Sequence, residues 1–399
     1  MRKRLGLIAL LSVVAAVSIA AQSQNTANAN KLTVHEWGTF TSVAGPNGQA
    51  IEWIPLNGPS ELPCFVKNLN AALSVKVPVG GLLNQMKATV RMETPVVYFY
   101  SPQELTAHVW ARFPQGMISE WYPQASVSPL YPNNGSFADT VGAIEWRDVK
   151  VSPLAKPTFL TEDGLSHYYA ARATDSAPLQ VGSQMEKFLF YRGIASFPVP
   201  VSAALDAKGG AVTVTNNGAT PIPTAILFEN QNGRLGYAIV NDISKSTLIP
   251  RPALTKDIAT MRRDLEAMLT ARGLFPREAK AMIETWSDSW FSEGARLFYI
   301  LPQSTLDRIL PITIEPAPAE IARVFVGRVE IFTPEVQGEV ERAIRTNNLP
   351  ALTKYGRFLD PIVNSISTRF SPAERTQVTG ALRAVAAWFE AAAAEHACK

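Results

Sequence analysis

The sequence predicts an α+β fold, an antiparallel β-sandwich-like domain followed by a helix-rich α+β region, and three observations support this. Residues 31–250 consist of short runs rich in Val, Phe, Tyr and Trp, interrupted by Pro, Gly and Asn, as strands and tight turns require. Beyond Pro250, apolar residues recur three and four positions apart, the period of an amphipathic helix. Strand-like runs then return between the helices, which makes the second region mixed. Apolar residues make up 47% of the chain, enough to build packed cores and well above the composition of disorder.

The first residues stand apart from both regions. Arg2, Lys3 and Arg4 precede an uncharged apolar run over 5–20, and small residues allow cleavage after Ala20 or Ala29. This is the plan of a secretory signal peptide over residues 1–29. The run is shorter than the roughly 20 residues that span a bilayer as a helix, so no integral membrane segment is expected after cleavage. The expected address is therefore exported, either periplasmic or secreted. The three basic residues are the only charges removed with the signal, so the 37 Lys and Arg of the whole chain fall to 34, equal to the 34 Asp and Glu. A neutral balance offers no electrostatic case for nucleic acid as a partner. Cys64 and Cys398 are too few for a disulfide framework or a thiolate metal site, although one bridge between them is chemically permitted in an oxidising compartment.

In the β-rich domain, 31–250, strands are predicted over 32–42, 88–100, 105–113, 143–151, 166–173 and 186–191. Residues 211–215 and 224–229 are predicted to form a hairpin around Asn216-Asn217-Gly218, residues that tolerate the positive φ of a tight turn. In the helix-rich domain, 251–399, Ile258, Met261, Leu265 and Met268 mark a helix over 255–272, stopped by Gly273. A second helix runs from Pro276 toward Glu293, and strands are expected over 296–301 and 323–332. Thr333-Pro334 and Ser371-Pro372-Ala373-Glu374 are helix starts, the latter with a capping box. The last helix presents Val378, Leu382, Val385 and Phe389 as its buried stripe.

Acids embedded among aromatics are the most unusual local texture: His35-Glu36-Trp37, Glu93 in Arg91-Met92-Glu93-Thr94-Pro95, Glu120-Trp121-Tyr122, and Glu145-Trp146. Glu is a poor strand former, so repeated placement beside Trp points to buried carboxylates or to a carboxylate-lined groove with aromatic walls. In the groove reading, Glu36, Glu93 and Glu120 are the catalytic candidates, as acid, base or nucleophile, with His35 beside them. His35, Trp37, Trp121, Tyr122, Trp286 and Trp290 are then the substrate-binding candidates, the last two forming an aromatic pair four residues apart on a helix. In the alternative reading each Glu pairs with an arginine, from Arg91, Arg112, Arg147, Arg172 or Arg192, and staples two strands.

Histidine is scarce. A metal-dependent hydrolase would have to use His35, His108 and His167, which show no ligand spacing, so neither a metal site nor any other cofactor is assigned. His108 shares a polar strand face with Thr106, Trp110 and Arg112. Neither a GxSxG elbow nor a glycine-rich phosphate loop occurs. The leading expectation is recognition, and with suitable carboxylate geometry hydrolysis, of a polar polymer, glycan or peptide, in an aromatic and carboxylate groove. The rival is a non-enzymatic cell-envelope protein that binds a protein partner through its C-terminal helices.

The blocks HEWGTFTSV, RMETPVVYFY, SEWYP, EKFLFYRG, WSDSWFSEG and RVFVGRVE start at His35, Arg91, Ser119, Glu186, Trp286 and Arg323. In these the chain resembles an uncharacterised family of exported bacterial proteins with no established activity, and the similarity covers most of residues 31–399. The resemblance implies export and carries no chemistry with it.

Overall fold

Pairing begins in the first strand. The computed structural model describes residues 32–58, 62–69, 86–162 and 166–395; the expected signal segment and Cys398 lie outside them. Cys64, within them, is disulfide-bonded. The strands are β1 (Thr33–Val43), β2 (Lys67–Asn68), β3 (Val90–Tyr100), β4 (Leu105–Pro114), β5 (Gly116–Tyr122), β6 (Ser126–Ser128), β7 (Val141–Val151), β8 (Leu179–Val181), β9 (Gln184–Glu186) and β10 (Leu189–Ala195). They continue with β11 (Val201–Leu205), β12 (Ala211–Asn216), β13 (Ile222–Gln231), β14 (Arg234–Ile243), β15 (Ser246–Pro250), β16 (Gly294–Ile300), β17 (Ile312–Glu315) and β18 (Glu320–Ile331).

One large mixed sheet runs β14-β13-β16-β18-β1-β3-β10-β5-β7-β4-β17, with β2, β6, β8 and β9 attached to its flank. β1 pairs with β18 in parallel and with β3 antiparallel. The sheet therefore crosses residue 250, because β16 and β18 complete the pairing of β13 and β1. A second sheet, β11-β12-β15, closes over one face of the first. Val34, Phe99, Phe113 and Trp146 of the large sheet share a core there with Val201, Val212, Val214 and Ile249 of the small one.

The opposite face carries Trp37, Val96, Tyr98, Phe190 and Phe298, and helices α1 (Ile258–Thr270) and α2 (Pro276–Thr285) cover it through Met261, Leu265, Leu269, Met282 and Ile283. The fold is thus α+β, a sheet between a smaller sheet and a helical layer. Beyond β18, α5 (Pro334–Arg345) and α8 (Arg375–Glu395) pack around their own core with Val340, Ile344, Leu352, Ile362 and Val385; the intervening helices are α3 (Ser287–Trp290) and α4 (Gln303–Ile309) before α5, then α6 (Leu349–Thr353) and α7 (Leu359–Ser365). No helix among the described residues is long and apolar enough to cross a membrane.

Local signals of the helix ends hold. The Thr333 side chain accepts from the Val336 N–H at the start of α5, and Ser371 N–H donates to Glu374 Oε2 at 2.8 Å ahead of α8. Val385 is buried on the expected stripe, with Val378, Leu382 and Phe389 partly buried against the same core.

Three expectations are corrected. Residues 166–173 form a 3₁₀ turn, His167–Arg172, capped by Ser166, because burying Tyr168 and pairing Arg172 with Glu186 outweigh the β propensity of the two tyrosines. The helix from Pro276 stops at Thr285 and restarts as α3, with Trp286 between. The hairpin of β12 with β13 does not form: β12 pairs with β11 and β15, β13 with β14 and β16. Asn216 does organise a turn, accepting from Gly218 N–H at 2.9 Å, but its amide also donates to Ile243 O at 3.0 Å. Turn chemistry sets the local bend; it does not choose the strand that pairs next.

Candidate functional site

The acid–aromatic segments separate by face. Glu36 lies on the small-sheet side of β1 at 0% exposure, where Arg323 Nε donates to it at 2.6 Å and the Tyr191 hydroxyl also donates. Burial, with Glu36 next, pushes the Tyr191 phenol well above its ordinary value. Glu93 lies on β3 on the helical side, opposite in pleat to Met92, with Arg91 Nε at 3.3 Å. Glu36 and Glu93 thus stand on opposite faces of one sheet and do not flank a common bond. Glu120 is half-buried on β5 and accepts from the Ser119 hydroxyl. His35 is buried, its Nδ1 at 2.7 Å from Glu278 Oε2, a carboxylate that also accepts from Tyr100 Oη at 2.7 Å.

The aromatic candidates are structural neighbours of these acids. Trp37 packs by Tyr98, Trp121 points into the small-sheet core and Tyr122 into the helical one. Trp286 and Trp290 are 3% and 0% exposed, so this pair anchors the α2–α3 junction in the core and offers no surface platform. The three imidazoles do not meet either. His108 Nε2 sits 2.8 Å from Glu145 and His167 Nε2 sits 3.0 Å from Asp288, each pair apart from His35, and no group of three or more His, Cys, Asp or Glu among the described residues could hold a metal.

Arginine pairing accounts for most buried acids. Glu186 meets Arg172 at 2.6 Å, and Glu330 is shared by Arg296 at 3.0 Å and Arg328. Burial opposes ionisation of Glu330, but these two guanidinia hold its carboxyl below the usual range.

One place keeps an acid, a histidine and an aromatic open to solvent. At the flank of the sheet, a groove of about 490 Å³ is lined by His108, Trp110, Ser126, Glu145, Thr313 and Glu315, among others. The register explains it: Ser126 lies opposite Glu145, Glu145 opposite Trp110, and Trp110 opposite Thr313, so four adjacent strands project one row of side chains. His108 and Glu315 form the next cross-strand pair. β4 alternates strictly, with Ala107, Val109, Ala111 and Phe113 inward, which forces His108 and Trp110 outward. Trp110 is 43% exposed and carries the Arg112 guanidinium 5.9 Å from its ring centre. Arg147 Nη2 donates to Glu145 Oε2 at 3.0 Å, and Arg147 Nε lies 3.0 Å from Oε1 as an ion pair. Hydrogen bonding from Arg147, and after it from His108, holds the Glu145 carboxyl below its ordinary value. The Glu315 side chain is exposed and makes no hydrogen bond or ion pair among the described residues.

Of this row, His108, Trp110 and Glu145 were legible as polar or acid–aromatic positions. Thr313, Glu315 and Ser126 were not, since two very short strands had to be placed beside β4 and β7 before their side chains could share a face. No protein-family model, curated protein or solved structure matches this chain.

Proposed function

We propose that the protein acts outside the cytoplasm and recognises a glycan in the groove around Trp110. The observation that carries this reading is the four-strand row, an exposed indole with Glu145 and Ser126 in register on one side and Thr313 on the other, and Glu315 in the next cross-strand pair. A sugar ring presents a C–H face that packs on an indole and a rim of hydroxyls that seek acceptors such as Glu145 and Glu315. Both groove carboxylates favour neutral or amino sugars over uronic acids. Glu145 is kept ionised by its donors, whereas a general acid needs a raised pKa, so the chemistry favours binding over acid-catalysed hydrolysis at this residue. The disulfide at Cys64 supports an oxidising compartment, in keeping with the signal-like N-terminus.

The test is binding of the chain lacking residues 1–29 to an array of neutral, amino and acidic glycans, with Trp110→Ala alongside. Retention of neutral or amino sugars that Trp110→Ala abolishes is the expected result. Equal retention by Trp110→Ala, or capture of peptides and no glycan, would overturn it.

A further inference from the structure

The register of the groove's walls gives it a direction. Its middle is the row Ser126, Glu145, Trp110 and Thr313. Over β6 and β7 it extends one pleat toward Ser128 and Ala143, which lie opposite each other, and over β4 and β17 it extends one pleat the other way, toward the His108–Glu315 pair. The groove therefore crosses the four strands obliquely. Arginines flank the two corners it leaves. Arg112 lies opposite Ala143 and packs over the Trp110 ring, and Arg147 pairs with Glu145 near the place where the β4–β7 register shifts around His108.

Its length follows from the strand spacing. Neighbouring strands lie about 4.8 Å apart, so a line over four of them spans at least roughly 14 Å, and the oblique course lengthens it. A pyranose in an extended glycan chain repeats at close to one strand spacing, so about three or four sugars cover the groove, one of them over Trp110. Both ends are open. Among the described residues every lining side chain belongs to β4, β6, β7 or β17, so no loop or helix crosses the groove's axis. β17 is the last strand of the large sheet and β6 pairs only with β7, which leaves the axis running out to solvent at each end.

We infer that the groove binds an internal stretch of a linear glycan, about three or four sugars long, and not a single sugar or a chain end. This rests on the glycan reading of the groove and adds to it the form of the ligand. A site that reads a chain end needs a wall across its axis, and among the described residues this groove has none. With one indole in the row, stacking holds the sugar over β4. Hydroxyls and carboxylates hold its neighbours, from Ser126 and Glu145 on one side and from Thr313 and Glu315 on the other.

The experiment titrates the chain lacking residues 1–29 with linear oligomers of glucose, mannose, galactose and glucosamine, from the single sugar to the hexamer, by isothermal calorimetry. In a series that binds, affinity should rise about three- to tenfold with each sugar up to the trimer or tetramer and then level off. Reducing the hemiacetal end of the hexamer, or methylating its other terminal hydroxyl, should leave its affinity unchanged. Ser126→Ala and Thr313→Ala, at opposite ends of the row, should each weaken tetramer binding about threefold. A single sugar that binds as tightly as the hexamer, a gain that continues unbroken to the hexamer, a hexamer silenced by blocking one end, or end variants without effect would each overturn the inference and leave the glycan reading standing. Binding of no oligomer in any series would overturn the glycan reading itself, and the inference with it.

Discussion

Glu36-Trp37 on β1 and Glu145-Trp146 on β7 are the same dipeptide in the same kind of strand, and they end in different chemistry. In each the tryptophan is fully buried, so the pleat sends the glutamate to the other face of the sheet. On β1, central and flanked by β18 and β3, that other face is also core, and Glu36 is sealed against Arg323 and Tyr191. On β7, nearer the flank, the other face meets solvent, and Glu145 stands in an open groove with His108 and Trp110. The difference teaches that an acid beside an aromatic fixes which way the two side chains diverge, while the layer on the far side of the strand decides whether the acid is a staple or a ligand group.

Removing the sealed acid is expected to have the largest effect. Glu36→Ala leaves the buried Arg323 guanidinium with only the half-exposed Asp307, 2.8 Å from Nη1, as a counter-charge, which costs about 3 kcal/mol and is read as a lowered urea midpoint. Replacing both partners, Glu36→Leu with Arg323→Met, should recover most of that loss, since no charge then remains in the core. A double variant as unstable as the single one would show that Glu36 does more than neutralise Arg323.

A second sealed acid, Glu330, predicts a pH dependence. Glu330 is held below its ordinary value of 4.5 by Arg296 and Arg328 despite burial, so its contribution to stability is complete above that value and is lost as pH falls through the lower folded pKa. Urea midpoints measured from neutral pH downward should therefore stay level until the medium is more acid than 4.5 and then drop. Glu330→Gln should show a lower midpoint at neutral pH and a shallower acid fall; an acid fall equal to that of the wild type would assign it elsewhere.

In the groove the effects move from stability to binding. Trp110→Ala should weaken glycan affinity about tenfold or more by isothermal titration, as loss of an aromatic anchor does, with stability changed by less than about 0.5 kcal/mol. Glu145→Gln retains the shape and one acceptor, so the expected loss is smaller, on the order of threefold in affinity. A Trp110→Ala variant that unfolds, or a Glu145→Gln variant that loses more affinity than Trp110→Ala, would blur the contrast between the two regions.

Much of the architecture was legible along the chain because it rests on local periods. β1, β3, β4 and β7, the first helix after Pro250 and the capped starts at Thr333 and Ser371 follow from alternation, 3.6-residue spacing and cap chemistry. The arginine staples were legible as types of residue but not as pairs. Arg323 meets Glu36 only because β18 returns beside β1 in parallel, across nearly the whole chain. Trp286 and Trp290 looked like a platform on an exposed helix face, and the sheet they cover turned that face inward.

What the sequence by itself determined is the order of strands and helices, the direction in which neighbouring side chains diverge, and the supply of acids, arginines and aromatics. Those depend on bond geometry and short-range hydrogen bonding, which act within a few residues. Only the tertiary structure decided which acids are sealed and that Trp110 faces solvent in a groove. Each of these depends on what packs against the far side of a strand, and that neighbour comes from a distant part of the chain.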